Sequence, residues 1–229
     1  LASVPLGPAL EGIGPQCGRM AGPGSITRFE VSPLGLACHS VDGPLAAGAD
    51  VQGISATGYL SLLALLLRLG CLDADGHFRT PASPLARRVA PPPQQARTGL
   101  RLPLPYGQWL AAADVEELLK VKAAFSQALE ALLRAAGLAA ADVACLALAG
   151  ALGEHCPPAC LEELGFLPSG MGRRVRAVGN SSLDGAALLA AEPWRLPALA
   201  RWCAAATLVP VAEDPGFHAD YLRHMRFGV

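Results

Sequence analysis

From Val143 onward, short apolar runs alternate with turns of small residues and with helical segments. Two of the apolar runs lead directly into such turns, Ala149–Gly153 after the first and Gly179–Ser182 after the second. Alternation of this kind is typical of an α/β domain, in which helices connect the strands of a mixed, mostly parallel sheet and flank it. The predicted elements are, in chain order, strand 143–148, a helix after Pro157-Pro158, strand 174–178, helices 183–191 and 197–206, strand 208–211 and helix 215–225.

The first part of the chain predicts strands followed by an apolar helix. Strands are predicted over 1–8 and within 26–40, where apolar and polar residues alternate loosely. The segment opened by Gly53–Gly58 predicts a helix to about Leu69, because Gly70 is a common helix stop. This helix is too short to cross a membrane, which takes about 20 apolar residues.

The strongest helical pattern is predicted to begin at Asp114, which matches a capping box with Glu117, and to end before Gly137. Apolar residues recur along it at three- and four-residue spacing and predict one buried face. They are Leu118, Phe125, Leu129, Leu132 and Ala136. The preceding residues, 81–105, are rich in proline and are predicted to be a surface loop with little regular structure.

Composition narrows the class of protein. Of the 229 residues, 52% are apolar and 16% are charged, which excludes a disordered or coiled-coil chain. The net charge of −1 gives no basic footprint for nucleic acid or for an anionic membrane surface. Seven scattered cysteines are typical of a reducing compartment, so we expect a cytoplasmic protein. Because the chain opens at Leu1 without the regions of a signal peptide, we expect a fragment of a longer protein or a processed chain.

The two turns of small residues are candidate ligand sites. In parallel α/β sheets, ligands bind beyond the carboxyl ends of the strands, where backbone amides at helix starts can face a phosphate or a ribose. The turns in question are Ala149–Gly153 and Gly179–Ser182. Small residues in such turns also serve packing and turn geometry alone, and the sequence leaves that alternative open.

Several short motifs occur in the order in which they stand in reductive activators of corrinoid proteins. The chain therefore resembles that family over almost its whole length outside the proline-rich segment. Each motif by itself is unspecific, whereas their shared order is not. The motifs are Gly7–Gly12 (Gly-Pro-Ala-Leu-Glu-Gly), Cys17–Met20, Pro23–Ile26, Gly53-Ile54 with Gly58, Val121–Ala124, Leu148–Gly153, Leu164–Pro168, Val178–Ala186 and Glu213–Phe217.

The resemblance implies that residues 1–229 form the C-terminal lobe of an actin-like ATPase domain with a ribonuclease H-like fold. In that family, ATP or ADP with Mg²⁺ is held between two lobes, and full-length relatives carry a ferredoxin domain. They use ATP to drive electron transfer from an iron–sulfur cluster to Co(II) of a corrinoid protein, which restores Co(I). The loop that resembles Leu148–Gly153 lies against adenosine, and the loop that resembles Gly179–Gly185 connects the lobes. The residues thereby assigned to nucleotide binding and lobe coupling are Gly150, Ala151, Gly153, Gly179, Asn180 and Gly185, with Lys122 and Glu11 added.

Three departures from the family pattern weaken this expectation. The Asp-Ile-Gly-Thr phosphate motifs, which precede the segment like Gly7–Gly12 in the family, do not occur in the chain. The usual Cys-Gly-Ser-Gly is replaced by Ser55–Gly58, and Leu152 stands where an aromatic residue is expected. We therefore expect no catalytic residue here and no ATP hydrolysis by this chain alone. The alternative is a degenerate lobe that serves as a scaffold, a homodimer interface or a partner-binding module.

Lys122 and Glu11 each allow two interpretations. Lys122 lies in the apolar stripe of its helix. It either reaches ribose or phosphate in the cleft, or packs its stem on the core with its amine in water, which we favour. Glu11 either contacts ribose hydroxyls or acts as a cap or turn residue.

Metal sites are not predicted in this chain. Asp73 and Asp75 have the spacing of a calcium loop, but the remaining ligands are missing, so a plain turn is expected. His155, Cys156 and Cys160 supply only three ligands, fewer than a structural zinc takes. No ferredoxin-type cysteine cluster occurs, so we expect no iron–sulfur centre.

Two further patterns are not interpreted as catalytic sites. The segment Ser181–Asp184 lacks the flanking glycines of a nucleophile elbow, so a hydrolase is not expected. His218, Tyr221 and His224 recur on one helical face near the C-terminus and predict a surface or partner-facing stripe.

Overall fold

The computed structural model of the chain describes residues 1–4, 13–97 and 99–228. Glu11 and its motif Gly7–Gly12 lie outside the described residues. The helices are α1 (Ala56–Arg68), α2 (Pro84–Val89), α3 (Ala112–Ala136), α4 (Gly150–His155), α5 (Pro158–Glu163), α6 (Ser181–Ala191), α7 (Leu196–Ala205) and α8 (Phe217–His224). The strands are β1 (Ser25–Ile26), β2 (Arg28–Ser32), β3 (Gly35–Ser40), β4 (Gly43–Pro44), β5 (Gly53–Ile54), β6 (Gln94–Ala96), β7 (Gly99–Pro103), β8 (Trp109–Ala111), β9 (Leu146–Leu148) and β10 (Val175–Ala177).

In the described part of the chain, the strands form four small sheets rather than one. β9 pairs with β10 and β1 with β5 in parallel, whereas β2–β3–β4 and β6–β7–β8 are antiparallel. A tight turn explains the longest antiparallel pair, because Gly35, with φ of +122°, starts β3 directly after the short turn Pro33-Leu34. The α/β class is as predicted, but the expectation of a mostly parallel sheet was wrong for the described residues.

Helix α1 forms the centre of the hydrophobic core. It is buried without interruption from Tyr59 to Leu66. Ser55 caps its start by accepting a hydrogen bond of 3.2 Å from the amide of Gly58. A Cβ atom on Gly58 would meet the carbonyl oxygen of Ile26 at 2.4 Å, so only glycine lets β1 pack this closely. The helix ends before Gly70, with φ of +65°, which confirms the predicted stop.

Helix α3 is the longest helix and packs against α8 and the β7–β8 hairpin. The prediction that Asp114 caps this helix was wrong, because Asp114 is the third residue of α3 and Ala111 occupies the cap position. The Asp114 carboxylate accepts the amide of Ala111 at 3.0 Å and that of Gln16 at 2.9 Å, which ties the helix start to the preceding chain. Gly137, with φ of +66°, ends the helix as predicted.

The predicted buried stripe of α3 is correct only in its first half. Leu118 is fully buried, and Phe125 and Leu129 are half-buried. Leu132 and Ala136 are exposed, so the last turns of the helix are not covered on this face. The periodicity predicts which residues share a face, but not how far along the helix that face is covered.

Residues 81–105 contain α2, β6 and β7, so the prediction of little regular structure was wrong. Ser83 caps α2 by accepting the amide of Ala86 at 3.0 Å, and Pro84 occupies the first turn, where proline is favoured. Gly99, with φ of +103°, allows the β6–β7 hairpin. Proline marks an element boundary here rather than an irregular segment.

Near the two ends of the chain, the predicted strands are not found in the described residues. Residues 1–4 and 208–211 contain no strand, and 5–8 lie outside the described part. The two segments nevertheless lie side by side. The Leu1 amine donates to the carbonyl of Thr207 at 2.6 Å, and the amide of Val209 donates to the carbonyl of Leu1 at 2.7 Å. Among the described residues, no helix has both the length and the apolar character that crossing a membrane requires.

Candidate functional site

The two predicted turns of small residues meet at one end of the β9–β10 sheet. The parallel register places Ala177 beside Leu148, so both strands end at the same level. The amide of Gly150 then donates a hydrogen bond of 2.8 Å to the carbonyl of Gly179. Both glycines have positive φ, +80° and +62°, and a Cβ atom at either would meet no atom within 4 Å. Glycine is therefore needed for the backbone conformation, and the space beside it is open.

Gly153 has a different role from the two glycines of the junction. A Cβ atom on it would lie 2.6 Å from the carbonyl oxygen of Leu148, so it lets α4 pack directly onto β9. This is a packing function, which the sequence had left open as the alternative. Ala151 is the second residue of α4 and lies on the same helix.

Asn180 is the cap residue before α6, and Gly185 lies inside that helix. The Asn180 side chain caps the helix by accepting the amide of Leu183 at 3.1 Å. Gly185 lies within the helix, and a Cβ atom there would meet no atom within 4 Å. The structure thus gives Asn180 a capping role and leaves Gly185 on an open part of the helix.

A cavity of about 740 Å³ lies next to α4 and opens on the start of α1. Three parts of the chain form it: the β2–β3 hairpin with the residues before it, the N-terminus of α1, and α4 with the residues after it. Its lining includes Thr27, Arg28, His39 and Ser40 from the first part, Ser55, Ala56 and Thr57 from the second, and Leu152, His155 and Pro157 from the third. Leu152, noted above as a departure from the family pattern, therefore faces the cavity.

The cavity lining contains hydrogen-bond donors and two basic side chains that pair with a neighbouring carboxylate. Arg28 and His39 are cross-strand neighbours, and Glu30 pairs with both, at 3.1 Å to each. Among the described residues that line the cavity there is no carboxylate. The first turn of α1 carries no acidic residue either, so its amides and dipole present positive potential to the cavity. These donors can bind an anionic ligand group, with Arg28 shared between that group and Glu30.

The sequence did not predict Arg28 and His39 as site residues. Loose alternation predicted strands within 26–40, but only the register of the hairpin brings Arg28 opposite His39. That register follows from the short turn before Gly35. The sequence did contain a signal for these residues. It was a basic residue and a histidine on either side of a predicted turn that ends at Gly35.

Lys122 lies in the core rather than at the surface. Its side chain is fully buried, and its Nζ donates to the carbonyl of His224 at 3.1 Å and to that of Arg226 at 2.7 Å. Burial, with nearby Arg223 adding to it, lowers the pKa of Lys122 to about 8. The favoured interpretation, an amine in water, was wrong. The amine fastens the C-terminal segment to α3, and Lys122 does not belong to the cavity lining described above.

The C-terminal residues predicted as a surface stripe do not share one environment. His218 is exposed, Tyr221 is half-buried and His224 is buried. The His224 Nε2 atom lies 2.7 Å from Glu130 of α3, so this side chain is part of the α3–α8 contact. A single exposed stripe was therefore the wrong prediction, because α8 packs closely along α3.

The two groups considered above as metal ligands have the following geometry. Asp73, Asp75 and His77 bring ligand atoms within 4.8 Å of one another. Asp73, however, accepts two amides of its own turn and pairs with Arg79, which fits the expected plain turn. Cys156 is buried, and burial with nearby Cys160 raises the pKa of its thiol to about 12.

Comparison with known structures defines the class of protein. The fold superposes with a TM-score of 0.84 on a structure described as a reductive activator for corrinoid, iron-sulfur protein, at 23% sequence identity. That match covers 99% of this chain and 36% of the other. Together with the ASKHA family model described next, this match confirms the predicted actin-like α/β fold class.

The chain belongs to the family described as the C-terminal domain of RACo, the ASKHA domain, which matches residues 1–228. It is also 27% identical over 237 residues to the corrinoid activation enzyme RamQ of Eubacterium limosum. That alignment covers 100% of this chain and 39% of the relative, so the chain spans about two fifths of the relative's length. The resemblance found in the order of the motifs is confirmed.

Proposed function

We propose that the chain is the nucleotide-binding lobe of an ATP-dependent reductive activator of corrinoid proteins. The observation that carries the proposal is the cavity at the start of α1, which adjoins α4 and carries Arg28 on its rim. In a longer cytoplasmic protein, ATP would supply the free energy for reducing Co(II) to Co(I) in a corrinoid partner. The chain alone would bind nucleotide without hydrolysing it.

The residues present fit a nucleotide phosphate better than they fit magnesium. The first amides of α1, the hydroxyl of Thr57 and the guanidinium of Arg28 are suitable partners for phosphate oxygens. Magnesium prefers carboxylate and water oxygens, and the described lining supplies no carboxylate. Any Mg²⁺ bound with ATP would therefore take its protein ligands from outside these residues.

The junction of Gly150 and Gly179 supports the same placement. Its open side allows close approach of a ligand to the backbone, and α4 connects the junction to Leu152 and His155 in the cavity. We propose that adenosine lies against the turn before α4 and the phosphates lie toward α1. Leu152 would offer aliphatic contact in place of aromatic stacking.

The proposal is tested by calorimetric titration of the chain with MgATP and MgADP. Arg28→Gln is expected to weaken binding about tenfold, since a hydrogen bond to a charged group contributes about 1.5–3 kcal/mol. Arg97→Gln is the matched control, because Arg97 is exposed and lies outside the cavity lining. Equal loss in the two variants would contradict the placement of phosphate beside Arg28.

A scaffold function is the second candidate, and one observation favours it. Every residue from 181 to 210 is exposed or half-buried, which suits a lobe whose main task is to bind another protein surface or a second copy. The departures from the family pattern at Ser55–Gly58 and at Leu152 also favour a scaffold function. Absence of nucleotide binding by this chain and by the longer polypeptide that contains it would favour the scaffold.

A further inference from the structure

Three side chains of the β2–β3 hairpin form a closed ring of contacts on the face that points away from the core. Arg28 and Glu30 flank the buried Phe29 along β2, so both lie on the opposite face from it. His39 of β3 is the cross-strand neighbour of Arg28. Arg28 Nη1 lies 3.1 Å from Glu30 Oε1, Glu30 Oε2 lies 3.1 Å from His39 Nε2, and His39 Nδ1 lies 3.4 Å from Arg28 Nη2. Both terminal nitrogens of the guanidinium and both oxygens of the carboxylate therefore have a partner within the hairpin.

The donor chemistry of arginine defines the role of His39 in this ring. A guanidinium only donates hydrogen bonds, so Nδ1 of His39 accepts from Arg28 and carries no proton. Nε2 then carries the ring proton and donates it to the Glu30 carboxylate. His39 thus contacts both members of the Arg28–Glu30 ion pair and holds them in register.

Two members of the ring line the cavity and the third does not. Arg28 and His39 belong to the lining, whereas Glu30 lies outside it. An anion in the cavity and the Glu30 carboxylate would therefore compete for the same guanidinium. The side chains of the pair are 50% and 47% exposed, and ion pairs that are this exposed are weak enough to exchange partners.

We propose that Glu30 is a built-in competitor at the cavity, which holds Arg28 until a phosphate group of the ligand takes its place. The inference rests on the proposed function, which puts the nucleotide phosphates beside Arg28. A phosphate group offers several oxygens and can accept from both terminal nitrogens of the guanidinium at once. His39 keeps its hydrogen bond to the displaced carboxylate through Nε2. Glu30 thereby lowers the affinity for every anion and favours ligands that accept from Arg28 at two positions.

A double-mutant cycle with inorganic tripolyphosphate as the ligand tests the competition. Glu30→Gln removes the charge and keeps the shape of the side chain. Calorimetry should show binding about two- to fivefold tighter than for the unmodified chain, which is the range that an exposed ion pair allows. In the Arg28→Gln background, the same change should have little effect, because no guanidinium is left to release.

Two further variants control for general effects of the substitution. Glu116→Gln removes a carboxylate that pairs with Lys120 at 3.0 Å on α3, outside the cavity lining, and should leave the affinity unchanged. Glu30→Thr removes the same charge as Glu30→Gln with a residue that suits a strand, and should reproduce the gain if the glutamine variant folds poorly.

NMR of the histidine ring nitrogens gives a second measurement that does not depend on affinity. The chain contains five histidines, and the signals that disappear in His39→Gln identify His39. Without ligand, Nε2 should carry the ring proton and Nδ1 should not. Tripolyphosphate should shift the Nδ1 signal, because Arg28 leaves it, and Nε2 should keep its proton.

Several results would overturn the proposal. They are unchanged or weaker binding by Glu30→Gln, a gain that persists in the Arg28→Gln background, and no tripolyphosphate binding by any of the proteins. Titration with MgATP separates the two proposals. The expected pattern with tripolyphosphate but no MgATP binding would contradict only the proposed function, whereas MgATP binding that depends on Arg28 and not on Glu30 would contradict only the competition.

Discussion

The amide of Gly150 donates a 2.8 Å hydrogen bond to the carbonyl of Gly179, so two turns 29 residues apart in sequence form one junction. Each glycine follows one strand of a parallel pair, and each has positive φ. The sequence places both residues in turns of small side chains. The hydrogen bond between them requires both turns to keep their backbone conformation, and this gives the first prediction.

Replacing Gly179 by alanine should destabilise the chain, because L-residues disfavour its φ of +62°. The expected loss in the free energy of unfolding is about 1–2 kcal/mol. Gly185→Ala is the control, since Gly185 lies inside α6 with open space around it, and should be neutral or stabilising by up to about 1 kcal/mol. Urea unfolding followed by circular dichroism measures both, and equal effects would contradict the assignment.

Gly153→Ala should lower the free energy of unfolding more than Gly179→Ala does. The new methyl group would lie 2.6 Å from the backbone oxygen of Leu148, so α4 would have to move away from β9. Overpacking of this kind costs about 1–3 kcal/mol, and it should also displace Leu152 in the cavity. Unfolding by urea and titration with MgATP should change together. Unchanged stability would show that α4 does not pack on β9 as described.

Lys122 should make stability rise with pH in the alkaline range. Its pKa is about 8 in the folded chain and 10.5 as its ordinary value, so the unfolded chain binds more protons between these pH values. Relative to Lys122→Met, which keeps an apolar stem, the native chain should gain up to about 3 kcal/mol from pH 8 to pH 10.5. If the free energy of unfolding changed equally with pH in the two proteins, an amine held in the core would be contradicted.

The serine caps of α1 and α2 should contribute differently to the free energy of unfolding. Ser55→Ala should lower the free energy of unfolding by about 1–2 kcal/mol, because α1 is the centre of the core. Ser83→Ala removes the equivalent bond from the short helix α2, which can fray without global unfolding, so a smaller loss is expected. Chemical denaturation of both variants provides the comparison. Equal losses would show that α2 unfolds with the core.

Prediction from sequence succeeded where the determining interactions are local. The stop of α1 at Gly70 and that of α3 at Gly137 follow from the left-handed conformation that glycine accepts. Prediction failed where partners distant in sequence decide. Arg28 and His39 become cavity residues only through hairpin register, and Lys122 is enclosed by the C-terminal segment more than 100 residues away.

The sequence by itself determined the α/β class, the family and the ends of the two helices that Gly70 and Gly137 terminate. These depend on residue order, backbone conformation and periodicity, which act over a few residues. Only the tertiary structure decided that Gly150 contacts Gly179, that a cavity opens at Ser55, and that α6 and α7 present Trp194 and Trp202 to solvent. Such relationships depend on which surfaces are brought together and which are left uncovered, and burial is a property of the packed chain rather than of any segment.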